Sequence, residues 1–274
     1  MSALAIHPAP VARQAGLLLQ WQFRRMSRFL PLLVLVQILL AVTTVLGYGL
    51  LVGTPPPEQA LYLATGASTV TLVMVGLVMT PQMVAQARTE GSLDWMRTLP
   101  VPRPVFLGAD LALWTLIALP GMVLGVVSGA LKFHVHLSLS PWLPVAAIVV
   151  SLTAACVGYA IACLLPPQVA QLVSQVLVFV VLLFSPVSFP ASRLPGWLAE
   201  AHQWLPVQPM ADAMRATLVS DTFTMPTRST VVLAVWSRCS ARWLCITRLH
   251  HPPSTSSSRI RNVIWITARI LHAT

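Results

Sequence analysis

Arg88, Glu90, Asp94, Arg97 and Arg103 crowd into 19 residues, Gln86–Pro104 (QARTEGSLDWMRTLPVPRP), of a chain that is only 9% charged. Long uncharged apolar blocks flank this segment, so it must lie in water at a membrane face. Ser92 is a good helix N-cap, Asp94 places a carboxylate in the first turn where the helix dipole favours it, and Pro100 ends the run. Leu93, Trp95, Met96 and Leu99 supply apolar contacts. The chemistry open to such a set is recognition: a short helix at the membrane face that presses against something in the cytoplasm.

Catalytic chemistry has no comparable support. The Gly-x4-Gly-Lys-Ser/Thr phosphate loop is missing, so the chain does not bind ATP by that route, and no His-Glu-x-x-His, Gly-x-Ser-x-Gly or Cys-x-x-Cys occurs. His134 and His136 stand two apart in an outer loop with no third ligand nearby, which reads as a solvated pair rather than a metal site. No catalytic, cofactor-binding or metal-ligating residue is therefore expected. Charged residues are also missing from the first five apolar blocks, where proton- and sodium-coupled carriers place theirs. If the protein transports, its energy comes from elsewhere.

The elements that position the polar segment follow from composition. With 274 residues, 56% hydrophobic and a mean hydropathy of +0.77, the chain is far too apolar for a soluble domain, in which about 25% of residues are charged. It is an all-α polytopic membrane protein. The net charge of +10 sits on Arg residues at block ends and in the C-terminal stretch, as positive-inside anchors do, and is not a nucleic-acid footprint. The four cysteines form no disulfide framework, since Cys156 and Cys163 act as small hydrophobes inside an apolar block. No cleavable signal peptide is evident.

Residues 1–28 form a cytoplasmic amphipathic segment, with Arg13, Gln20, Arg24 and Arg28 on one helical face and Ala15, Leu19, Phe23, Met26 and Leu30 on another. A flanking charge cluster without a helix is the plainer alternative. Phe29–Val52 is the first span, 24 uncharged residues, and the Arg cluster before it keeps the N-terminus in the cytoplasm. The second span, Ala60–Val84, returns to the inside and kinks at Pro81. The third runs from about Leu111 to Leu131, with Asp110 at its start and a bend at Pro120-Gly121; the fourth is Pro144–Leu165 and the fifth starts at Val169 and ends near Phe184. Ser185–Pro226 alternates Pro with Trp, Phe and Leu and carries Arg193, Glu200, Asp212 and Arg215. It reads as short helices dipping into the outer leaflet, starting at Pro195-Gly196-Trp197 and anchored by Trp197 and Trp204. Its four charges read most plainly as interfacial.

A sixth span starts well at Ser229 (STVVLAVW) and then fails at Arg238 and Arg242. Residues 237–274 hold six of the seventeen basic residues and none of the seven acidic ones. Two readings stand: a frameshift near Ser237, or a genuine, disordered or surface-lying tail in which Ile260–Leu271 forms a weak amphipathic helix. Residues 29–236 thus form one transmembrane domain, preceded by the amphipathic segment and followed by an atypical tail.

Two stretches together resemble the membrane subunit of ABC-2 type ABC transporters. Arg88-Thr89-Glu90-Gly91-Ser92-Leu93-Asp94-Trp95-Met96, with Arg97, Pro100 and Arg103 after it, is similar to that family's acidic segment between spans two and three. Phe189-Pro190, Leu194-Pro195-Gly196-Trp197-Leu198, Leu205-Pro206, Asp212 and Arg215 resemble its Pro- and Trp-rich stretch before the last span. The resemblance covers about residues 10–236 and departs at Asp110, where the family often has Lys, in having fewer acidic residues before Glu90, and in the broken last span. It implies a coupling helix at Glu90–Leu99 that docks on a separate ATPase subunit carrying the ATP and Mg, a second permease subunit, and an outer re-entrant hairpin or gate at Ser185–Pro226. It further implies a multi-pass protein of the cell membrane that exports a hydrophobic or amphipathic compound, as in drug or antibiotic efflux. Export of a polysaccharide or lipid-linked glycan is the alternative cargo; an intramembrane enzyme and a non-transporting anchor are the alternative classes.

Overall fold

A computed structural model describes residues 11–53, 55–91, 103–187 and 195–250, and every regular element among them is helical. Helix α1 (Val11–Met26) precedes α2 (Leu30–Val52). A continuous rod follows, made of α3 (Pro57–Met74), a π-helical turn (Val75–Met79) and α4 (Thr80–Thr89). Then come α5 (Arg103–Phe133), α6 (Leu143–Leu164), α7 (Pro167–Phe184), the short α8 (Gly196–Trp204) and α9 (Val207–Leu218), and α10 (Thr227–His250).

Among the described residues, four helices are long and apolar enough to cross a bilayer: Leu30–Leu50, Pro57–Thr89, Val105–Phe133 and Leu143–Leu164. Pro167–Leu182 is a shorter apolar helix. The first four expected spans thus appear in order as candidate spans, and the fifth appears as a shorter apolar helix. The sixth differs from expectation. Its backbone is one unbroken helix through Arg238 and Arg242, both exposed, and the failure lies in its composition, which keeps α10 out of the set of candidate spans.

The α3–α4 rod is the hub. Its stretch from Leu63 to Val78 is buried without a gap, and it packs against α2, α5, α6, α7 and α9. Four hydroxyls lie in that buried stretch, and each is spent on its own helix: Thr65 donates to the Leu61 carbonyl (2.7 Å), Ser68 to Thr65 (2.7 Å), Thr69 to Thr65 (3.1 Å) and Thr71 to Ser68 (2.8 Å). That back-bonding lets them sit in an apolar interior without cost to the neighbours.

Small residues set the helix spacing. Gly121, Gly125 and Gly129 recur every fourth position on α5; a Cβ on Gly125 would stand 2.8 Å from the Ser68 Cα, and one on Gly129 2.9 Å from the Ala64 Cα. On the other side of the rod, a Cβ on Gly158 of α6 would reach within 2.1 Å of the Gly76 carbonyl oxygen. Backbones approach this closely only where side chains are absent, which is how helices associate when lipid removes the hydrophobic drive. The expected kink at Pro81 takes the form of the π turn. Pro81 has no N–H to donate, and the widened turn lets both the N–H and the Oγ1 of Thr80 donate to the Val75 carbonyl, the latter at 3.1 Å. The Pro120-Gly121 bend of α5 is met from outside: Gln37, buried in α2, donates to the Ile117 carbonyl at 2.7 Å.

Helix α1 is amphipathic, with Arg13, Gln20 and Arg24 exposed, and Arg28, in the turn after it, is exposed as well. The apolar face is rotated from the expected one: Leu18 and Gln22 point into the bundle, while Phe23 is 40% exposed. The other correction is Asp110. Helix α5 starts at Arg103, so Asp110 lies two turns inside it rather than at its start.

Candidate functional site: the polar ends of the bundle

At one end, α4 carries the base of the charged segment. It stays helical through Thr89, so Arg88 belongs to the helix and not to the loop. Gly91 has φ +70°, the left-handed conformation that ends helices cheaply only when no Cβ is present. Arg88 donates through Nη1 to the carbonyls of Ala162 and Leu165, the latter at 2.9 Å, and so caps the C-terminus of α6. It ties the segment to the bundle. Glu90 is exposed, and its Oε1 accepts from Gln86 Nε2 at 2.7 Å. The rest of the expected docking set, Ser92, Leu93, Asp94, Trp95, Met96 and Arg97, lies outside the described residues.

Beside Glu90 a cleft of about 520 Å³ opens between α1, α2, α4 and α5. Its wall is mostly apolar, with Trp114, Leu113, Met83 and Leu33, and Gln22, Arg25, Gln86, Glu90 and Asp110 supply its polar groups. Gln22 is 6% exposed, and neither its Nε2 nor its Oε1 has a partner among the described residues. One Gln among the three of a basic helix gives no sign of this in the sequence, because burial depends on which way α1 rolls.

At the opposite end, α9 holds the second group. Arg215 is 5% exposed, and its guanidinium joins α9 to the turn after α7 and to α3. Nη1 pairs with Asp212 Oδ1 at 3.1 Å; Nη2 donates to the carbonyls of Pro186 (2.8 Å) and Val187 at the end of α7; and the ring of Tyr62 on α3 lies 4.5 Å away. Asp212 Oδ2 in turn accepts from Ser229 Oγ of α10 at 2.7 Å. Burial lowers the affinity of Arg215 for its proton and Asp212 restores part of it, but a guanidinium has range to spare and stays charged at physiological pH. The plain reading of Asp212 and Arg215 as interfacial charges is thereby corrected: this is a buried clamp. Tyr62 and Ser229 complete it and carried no signal of their own in the sequence.

The remaining outer residues divide. Pro195 immediately precedes α8 as expected, Trp197 is 72% exposed, and Pro206 is buried before α9. Phe189 and Pro190 lie outside the described residues. Trp204 is 65% exposed, yet α10 pins its neighbourhood: Trp236 Nε1 donates to the Trp204 carbonyl at 2.9 Å, and Arg228 stacks 4.7 Å from its ring. No group of three or more His, Cys, Asp or Glu able to hold a metal occurs among the described residues.

Both polar ends fall within one comparison. The model of the ABC-2 type transporter family matches residues 13–219, which takes in α1 through α9 and stops before α10. No curated protein matches the sequence. The match spans well over half of the chain, and the protein belongs to the ABC-2 type transporter family as a membrane permease component.

Proposed function

We propose that this permease is the membrane subunit of an ATP-driven exporter for a hydrophobic or amphipathic compound of drug or antibiotic type. ATP and Mg²⁺ bind a separate ATPase subunit, which receives the segment Glu90–Leu99, and two permease subunits, identical or different, line the pathway in the cell membrane. The observation that carries this reading is the stop of α4 at Gly91, which presents Glu90 to solvent at the end of the hub rod while Arg88 locks that end to α6. Force applied there reaches α3, and α3 touches most of the bundle. The same end holds α1 and its basic residues, which supports a cytoplasmic N-terminus.

An apolar cargo fits the interior. Between Glu58 and Arg88 the rod carries no charge, and its buried hydroxyls are already bonded to their own helix. Such a wall has no ionisable group with which to desolvate an ion or to relay a proton.

Inverted membrane vesicles holding the chain and its ATPase test this directly. ATP-driven uptake of a lipophilic dye is expected, and Glu90→Ala combined with Leu93→Ala should bring it to background with an unchanged amount of chain in the membrane. Uptake that survives the double substitution would refute the coupling role. Failure to move any lipophilic compound, with movement of a lipid-linked glycan, would replace the cargo class.

A further inference from the structure

The cleft beside Glu90 combines three features that one ligand satisfies. Its depth is apolar, formed by Leu33, Met83, Leu113 and Trp114, and Phe29 and Leu32, each 58% exposed, also line it and extend it to the outer surface of α2. Its volume of about 520 Å³ is ordinary for a small-molecule site. An amphiphile entering from the membrane would lay its chain against this apolar wall.

Gln22 supplies the second feature. Both its amide donor and its amide acceptor are buried and lack a partner among the described residues, a costly state that proteins seldom keep unless a further group completes it. The completing group must accept from Nε2 and donate to Oε1 in the same small volume.

Charge is the third. Arg25 lines the cleft from α1, next to the Trp21 ring at 5.7 Å, whereas Glu90 and Asp110 line it from α4 and α5. A purely cationic or purely anionic head group would meet its own sign on one side. A head with one charge of each sign would not.

We propose that this cleft binds a membrane phospholipid whose head carries a phosphate and a primary ammonium, taken from the leaflet on which α1 lies. The phosphate oxygens accept from Gln22 Nε2 and Arg25, and the ammonium donates to Gln22 Oε1 and toward Glu90 and Asp110. A choline head keeps the charge but has no N–H to give, and a glycerol head has no cation. The site therefore selects by hydrogen bonding as well as by charge.

The test uses the full chain alone in detergent, with no ATPase present, so its outcome is separate from that of the export reading. Short-chain phosphatidylethanolamine, phosphatidylcholine and phosphatidylglycerol are titrated while bound lipid is counted by native mass spectrometry and thermal unfolding is followed. The ethanolamine lipid is expected to bind one per chain, at least about tenfold more tightly than the other two, and to raise the unfolding temperature. Gln22→Leu should abolish that preference and leave the lipid-free chain no less stable, since it removes two unpartnered polar groups. Arg25→Gln, on an exposed position of α1, should weaken the ethanolamine lipid by about tenfold without changing the fold. Equal binding of all three lipids by the unaltered chain would show ordinary annular lipid and overturn the proposal. Persistence of the preference in both variants would overturn it as well, as would saturation by a soluble amphiphile that bilayer lipid fails to displace.

Discussion

Arg215→Leu is expected to destabilise the protein by about 3–5 kcal/mol, the cost of breaking a buried ion pair from one side. The substitution strands three acceptors at once. Asp212, 17% exposed, loses its cation and keeps only the Ser229 hydroxyl, and the Pro186 and Val187 carbonyls lose their donor at the end of α7. For a chain of this size that corresponds to a fall of roughly 10 °C or more in the apparent unfolding temperature. Arg215→Lys separates charge from geometry. A point-charge ammonium on a shorter reach cannot serve Asp212 and two carbonyls together, so it should recover less than half of the loss. The double change Arg215→Leu with Asp212→Asn should be less damaging than Arg215→Leu alone, because the uncompensated carboxylate is gone. An unfolding temperature within about 2 °C of the unaltered protein for Arg215→Leu would show the clamp to be decorative.

Arg238→Leu together with Arg242→Leu should turn α10 from a helix that resists the bilayer into one that enters it. Each Arg at a helix centre opposes insertion by roughly 2.5–3.5 kcal/mol, so removing both shifts the balance by more than 5 kcal/mol, well over a thousandfold. Helix α10 is prepared for the change. Its first turns are integral to the fold, with Ser229, Val232 and Leu233 buried against the bundle, and only the following turns carry the two arginines. Glycosylation mapping with acceptor sites on either side of residues 227–250 reads the outcome. The unaltered segment should be largely excluded and the double variant largely inserted. Full insertion of the unaltered segment would sink both this expectation and the proposal that the sequence from about Ser237 belongs to a shifted reading frame. Comparing both frames of the transcript at that codon tests the frameshift itself.

The spans were legible because bilayer thickness leaves few options for uncharged runs of twenty or more residues. The polar end of α4 at Arg88 and Glu90 was legible for a related reason: charges confined between apolar blocks have one place to go. What the sequence hid is which residues meet. Gly121, Gly125 and Gly129 advertise a close approach, but nothing in their spacing names Ser68 and Ala64 as the partners. Arg215 sits in a Pro- and Trp-rich stretch whose composition suits an interface, and only the return of Tyr62, Pro186 and Ser229 to the same point makes it buried. Asp110 was misplaced because apolar content, not helix geometry, set the expected start of the third span, while Pro104 near the true start suits the first turn of a helix. Gln22 went unseen because a roll of α1 by one residue exchanges a buried position for a solvated one.

The measurement closest to the central claim is affinity capture of the tagged chain from membranes, with mass spectrometry of what remains bound. Recovery of an ATPase that has a phosphate-binding loop is expected, as is its loss when Glu90 and Leu93 are both changed to Ala. Stable insertion of the chain with no such partner, both as it stands and with Arg238 and Arg242 replaced by Leu, would contradict that claim.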